Sequence, residues 1–196
     1  MTGRVFQEMP LDKWQWSPSP LPGQVVLVTS VNADGEVDVA PKSWVTMMST
    51  GEIPLIGFGC TMEHRTAHNI ESTGEFAINV PDESLATTIW GLPDVRNRLS
   101  TGLTIVPAVT IGVPVIAECF SHIECRLDRI VELGGPEVFV IGAIQRIDMD
   151  AQAAAITDPV ARYDAARPFF FLEDGLMAPL GPATAVSPSN TAGGTL

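Results

Sequence analysis

Apolar residues along this chain come in short bursts rich in β-branched and aromatic side chains. Gly, Pro, Asn and Asp cut them too often for long helices. Residues 24–31, QVVLVTSV, form the first burst, and the turn signal Asn32-Ala-Asp-Gly35 folds it into a hairpin. The returning strand starts near Glu36 and meets Pro41, which has no N–H for a ladder and so belongs at an edge or a bulge. Residues 43–49 resume an extended pattern, and residues 54–59 make the next strand. A short helical pattern then begins near Thr61 and closes at Gly74, a residue suited to the left-handed cap that ends such a helix. The apolar run over residues 76–80 follows and stops at Pro81.

Further on, Asp82 caps a short helix, ESLATTIW, that ends at Gly91. Residues 93–104 hold Arg96 and Arg98 without a clear period and read as a surface loop or a broken helix. Residues 114–133 alternate, with Ala117, Cys119, Ser121, Ile123 and Cys125 on one parity and Glu118, Phe120, His122 and Glu124 on the other. Gly134-Gly135-Pro136 turns the chain, and residues 138–147 run back as a partner strand. Asp158-Pro159 opens another short helix, residues 168–172 are a last apolar strand, and Asp174-Gly175 is a turn. Three parts are expected: an extended arm over residues 1–20, a domain over 21–181, and a tail over 182–196 with nothing to bury. Trp14 and Trp16 on the arm pack either over the domain's own core or on a partner. Short strands with only short helices between them suggest a closed antiparallel barrel capped by helices.

Composition narrows this picture. A chain of 196 residues, 45% hydrophobic and 17% charged, can bury one substantial core but is cramped for two. No apolar run approaches the ~18 residues of a membrane span, and residues 1–14 lack the apolar stretch of a secretory signal. Three cysteines without metal-type spacing suit reduced thiols, so a cytoplasmic location is expected. The net charge of −12 repels nucleic acid and anionic membranes, so neither is an expected partner. An anionic ligand must therefore be captured locally.

One stretch offers such a place. Cys60, Thr61, His64, Arg65 and Thr66 sit where a strand hands over to a helix, and the free amides and dipole of a helix start favour a phosphate. An ordinary strand–helix junction is the competing reading. Cys60, His64 and His68 are spaced four apart, as metal ligands on a helix would be. Cys60 belongs to the strand end, however, and Arg65 adds a fixed charge, so no metal is assigned. Cys119 and Cys125 are six residues apart on a strand, well beyond the ~7 Å a disulfide spans, and read as core fillers. There is no GxGxxG, no P-loop and no GxSxG elbow, and no catalytic side chain is assigned.

Taken together, PLPGQVVLVTSVNADGEVDVAPKSWVTMMSTGEIPLIGFGC followed by HRTAHNIESTGEFAINVP resembles the flavin reductase-like family of FMN-binding split barrels. The likeness is close from Pro20 to Pro81 and looser through VFVIGAIQRID and FFFLEDGLMAPLG. It implies a mainly β fold with short helices, an antiparallel split β-barrel, that binds FMN as a homodimer with the cofactor between subunits. On that likeness Ser43, Trp44 and Val45 would lie along the isoalloxazine, and Cys60 and Thr61 beside the ribityl chain. His64, Arg65 and Thr66 would take the phosphate, and Phe170 or Phe171 would approach the flavin from late in the chain. The implied activity is that of an NAD(P)H-dependent flavin oxidoreductase working on a small-molecule redox partner or an electron-transfer protein. Alternatives are an FMN-holding electron carrier without its own substrate, and a ligand-binding barrel that has lost flavin. Two departures from the family pattern stand out. Asp38 stands where many relatives have Asn, and Glu137 and Val138 stand where relatives with reductase activity often carry a His.

Overall fold

The computed structural model describes residues 3–12, 15, 19–92, 102–173 and 175–183. Its centre is an antiparallel sheet of seven strands in the order β3-β2-β6-β9-β10-β5-β4. The members are β2 (Val26–Val31), β3 (Val37–Lys42), β4 (Val45–Ser49), β5 (Leu55–Thr61), β6 (Glu75–Val80), β9 (Ser121–Gly134) and β10 (Glu137–Met149). Small sheets of β1 (Gly23–Gln24), β11 (Phe169–Phe171) and β12 (Met177–Pro179), and of β7 (Ile105–Val106) with β8 (Val115–Ile116), flank it. The helices are α1 (Arg65–Thr73), α2 (Ala86–Gly91), α3 (Ala151–Ala155) and α4 (Pro159–Ala166).

The closed barrel expected from the strand pattern is not what forms. β3 and β4 lie at opposite edges of the sheet, yet only Ser43 and Trp44 separate them in sequence. Three Cα steps reach about 11 Å at most, so the sheet must curl until its two edges meet at that corner. Along the rest of their length the edges do not pair, and Pro41 in β3 has no N–H to offer a further strand. The result is an open, curled sheet: the split barrel that the resemblance implies.

Inside the curl, Val28, Phe58, Ile70, Phe76, Ile78 and Val140 are fully buried around one face of α1. A second core, with Leu27, Val39, Leu92 and Phe169, joins the large sheet to α2 and the β1-β11-β12 sheet. Both faces of β2 are therefore covered, which is why it reads as a continuous apolar run rather than an alternating one. The β2–β3 hairpin turns where expected, with Gly35 in the left-handed region at φ +83° and the Asn32 side chain accepting from the Asp34 and Glu36 amides. Gly74 ends α1 at φ +73°.

The alternating stretch over 114–133 is not one strand. β8 ends at Ile116, a turn closed by the Cys119 amide on the Ile116 carbonyl follows, and β9 starts at Ser121. Glu124 and Cys125 are then both buried despite opposite parity, because the 107–113 loop covers the second face of β9. Glu124 pays for its burial by accepting from the Val109 and Thr110 amides and the Thr110 hydroxyl. The elements without a sequence expectation include α3, capped by Asp150, and the short strands β7 and β12. The Trp14, Trp16, Arg96 and Arg98 expectations, the Asp174 turn residue and the tail from residue 184 lie outside the described residues. No described helix is long and apolar enough to cross a membrane.

Candidate functional site

The corner where the sheet splits is also where β5 delivers the chain to α1. At the end of β5 the Thr61 carbonyl accepts from the His64 amide at 3.1 Å, and its hydroxyl accepts from the Glu63 amide at 3.3 Å. These local bonds turn the chain out of the strand and into the helix, four residues later than the sequence pattern suggests. The Met62 amide donates to Pro136 of the β9–β10 turn at 2.8 Å, anchoring the junction to the far hairpin. His64 occupies the helix N-cap without a side-chain cap bond, so the first-turn amides face the corner uncapped by a side chain.

β3 approaches the same point. Asp38, Ala40 and Lys42 share one face of the strand by its period of two, and that face looks toward α1. Asp38 is 4% exposed. Its carboxylate accepts from the Thr66 hydroxyl at 3.0 Å and pairs with the Arg65 guanidinium at 3.1 Å. Arg65 itself is 65% exposed. Deeper in the same contact, Asn69 donates to Ser30 at 3.2 Å, so α1 docks on the hairpin through two buried polar pairs. Beside them the Lys42 ammonium lies 3.3 Å from Cys60 Sγ and 3.5 Å from His64 Nδ1.

Two adjoining cavities result. One, of about 420 Å³, lies at the helix start between Asp38, Lys42, Glu63, His64, Arg65 and Thr66. The other, of about 600 Å³, runs along β5 between Lys42, Trp44, Gly59, Thr61 and the hairpin residues Leu133 and Glu137. They share Pro41, Lys42 and His64 and so adjoin as the two arms of one groove, each within the usual size of small-molecule sites. Gly59 lets the Trp44 ring lie close against β5. A Cβ there would come within 3.0 Å of the Trp44 ring, whose indole is 49% exposed and forms a wall.

Of the residues singled out from sequence, Ser43, Trp44, Cys60, Thr61 and His64 line the larger cavity, and His64, Arg65 and Thr66 the smaller. Val45 sits on β4 opposite Phe58 and packs against the main core. Phe171 lies on β11 with its ring 5.9 Å from that of Trp90, and lines neither cavity. The structure adds Lys42, Glu63, Leu133 and Gly134, and turns Asp38 and Glu137 from departures into lining residues. Lys42 had a sequence signal in its strand parity with Asp38. Leu133 had none and Glu137 stood out only as a departure from the family pattern, and the Glu137–Thr61 register of β10 on β5 brings this end of the hairpin near. The remaining thiols stand apart from the groove. Burial, reinforced by the charge of Glu118 and Asp82, pushes Cys119 up to about 12, and burial with Glu124 does the same to Cys125, so both stay protonated packing groups.

Comparison with known proteins matches this architecture. A family model described as a flavin reductase like domain covers residues 19–165. An uncharacterised protein of Halalkalibacterium halodurans is 31% identical over 125 residues, 59% of each chain, and the chain spans between about half and two-thirds of the length of most curated relatives it matches. Among solved structures, nitrilotriacetate monooxygenase component B from Bacillus cereus superposes with a TM-score of 0.81 at 22% identity, over 94% of this chain and all of that one. Flavoredoxin from Methanosarcina acetivorans gives 0.78 at 18% identity, over 95% and 97%. At such identities the structural likeness establishes the fold alone.

Proposed function

Since the chain belongs to the flavin reductase-like family, we propose that it is an FMN-binding oxidoreductase that moves hydride or electrons between NAD(P)H and its flavin. The observation that carries this reading is the two-armed groove at the split, apolar and ring-walled in one arm and, in the other, bringing Lys42, His64, Arg65 and Thr66 to a helix start beside Asp38 and Glu63. The residues present fit the group. Trp44, packed over Gly59 and 49% exposed, offers stacking area to a planar ring. Cys60 and Thr61 line the same arm as Trp44, where they would flank a polyol chain. Lys42, His64, Arg65, Thr66 and the first-turn amides of α1 supply donors for a terminal phosphate.

When bound, FMN supplies the hydride and single-electron chemistry that no side chain here can provide. The protein's part is to orient and to shield. Trp44 would cover the ring's edge from water, and Lys42 places a positive charge at the junction of the two arms. The second copy of this chain is proposed to complete the groove's open side, and a cytoplasmic setting suits three free buried thiols.

Adding FMN to the purified protein and following its absorbance and fluorescence tests retention. Anaerobic titration with NADH and NADPH then tests the donor. Bleaching of the bound flavin by either nucleotide is the expected result. Bound flavin that neither nucleotide reduces would leave an electron carrier fed by another protein, and no flavin binding at all would remove the flavin reading.

A further inference from the structure

The donors best placed for a phosphate are already in use. Asp38, the second residue of β3, is held in register opposite Ser30, and its side chain is buried against the start of α1. One of its oxygens meets the Arg65 guanidinium and the other takes the Thr66 hydroxyl, at 3.1 and 3.0 Å. A buried anion with two oxygens on a guanidinium and a hydroxyl at a helix start is the arrangement a phosphate itself would adopt there. The charges lining this arm confirm the balance: Asp38 and Glu63 against Lys42 and Arg65, with His64 between them. An incoming phosphate therefore meets no net positive field from these four, in a protein whose net charge is −12.

We propose that Asp38 is a specificity-determining residue of this pocket. Its carboxylate occupies the phosphate's partners, so the phosphate adds little to flavin affinity and the flavin exchanges rather than staying as a fixed prosthetic group. This rests on the flavin reading above. Arg65 is exposed and can turn a second guanidinium nitrogen to an incoming phosphate, but it then serves two anions at once. An amide in place of the carboxylate would still accept from Thr66, would release Arg65 to the phosphate, and would add an N–H donor of its own.

The test compares dissociation constants of FMN and riboflavin, by fluorescence, for the wild type, Asp38→Asn and Asp38→Ser. In the wild type the two flavins are expected to bind within about threefold of each other. In both neutral variants FMN affinity is expected to rise tenfold or more, the loss of one charge-assisted competitor, with riboflavin moving less than about twofold. A wild type that already favours FMN by more than about tenfold overturns the proposal, even should both variants fail to fold. So do neutral variants that bind flavin with an unchanged or lowered FMN-to-riboflavin ratio, and in that case the flavin reading stands. Failure of the wild type to bind either flavin overturns both.

Discussion

At the scale of single residues, the groove separates ring binding from phosphate binding, and substitutions can address each alone. Trp44→Ala removes the exposed indole wall beside Gly59 without opening the core. It is expected to weaken FMN and riboflavin alike, by ~1–2 kcal/mol, as read from paired fluorescence titrations. Arg65→Ala acts at the other arm. With the guanidinium gone, the Asp38 carboxylate loses its 3.1 Å ion pair and keeps the Thr66 hydroxyl, so more of its charge faces the phosphate. FMN affinity is expected to fall about tenfold, to below that of riboflavin, which should barely change. Equal losses for both flavins would place Arg65 in the fold's support instead. Much of this site could be read from the sequence because its pieces are local: APKSW at a strand end and HRT at a helix start carry their own turn and cap chemistry. What could not be read is the traffic between them. Asp38 and Thr66 are 28 residues apart, and nothing in either segment says that one satisfies the other. The charge at Asp38 was visible from the sequence; that it would be neutralised by the very residues expected to hold a phosphate was not.

At the scale of elements, the strands that show in sequence are those whose ends carry turn residues with a mechanical reason: Asn32 to Gly35, Gly74, and Gly134 with Gly135. Those that do not show are two or three residues long, such as β7, β8 and β12, too short for any period. Parity failed at β9 because a loop covers the strand's second face, and that loop makes its own prediction. Glu124 holds it through two amides and a hydroxyl. Burial pushes the carboxyl's pKa up, but the Thr110 and Val109 hydrogen bonds outweigh burial and leave it below the ordinary value. An unfolded chain therefore takes up this proton at a higher pH than the folded one. The stabilisation is full above the ordinary glutamate range, near pH 4.3, and is lost as pH falls through the lowered folded value. Glu124→Gln should reduce stability at neutral pH by ~1–3 kcal/mol and flatten the acid limb of the curve, checked by urea melts from pH 3 to 7. Gly142 offers a second test of the same sheet. It lies at a register shift in β10, and a Cβ there would sit 2.4 Å from the Phe76 ring in the main core. Gly142→Ala is expected to cost ~1–3 kcal/mol through overpacking, seen as a lower urea midpoint.

At the scale of the whole molecule, a sheet that curls without closing leaves its groove open on one side, and the surfaces beside that opening are apolar. Trp44 lies over Gly59, Met48 and the Phe139 ring both close on Gly57 on the same strand, and Leu133 lines the Trp44 cavity from the hairpin turn while 62% exposed. These four come from β4, β9, β10 and the corner between β3 and β4, so no single amphipathic element accounts for them. An apolar rim around a wet groove is costly to leave in water and is the usual mark of a contact surface. A second copy presenting the same rim would bury both and close the ring-binding arm, and a two-fold contact makes any gain count twice. The chain is accordingly expected to run as a dimer in light scattering at micromolar concentration. Leu133→Glu sets a charge in the middle of that rim while leaving the β9–β10 turn to its glycines. It should give a folded monomer, with an unchanged far-ultraviolet spectrum and weaker binding of FMN and riboflavin in equal measure. A wild type that scatters as a monomer, or a monomeric variant that binds flavin as well as the parent, would mean that the groove is complete within one chain.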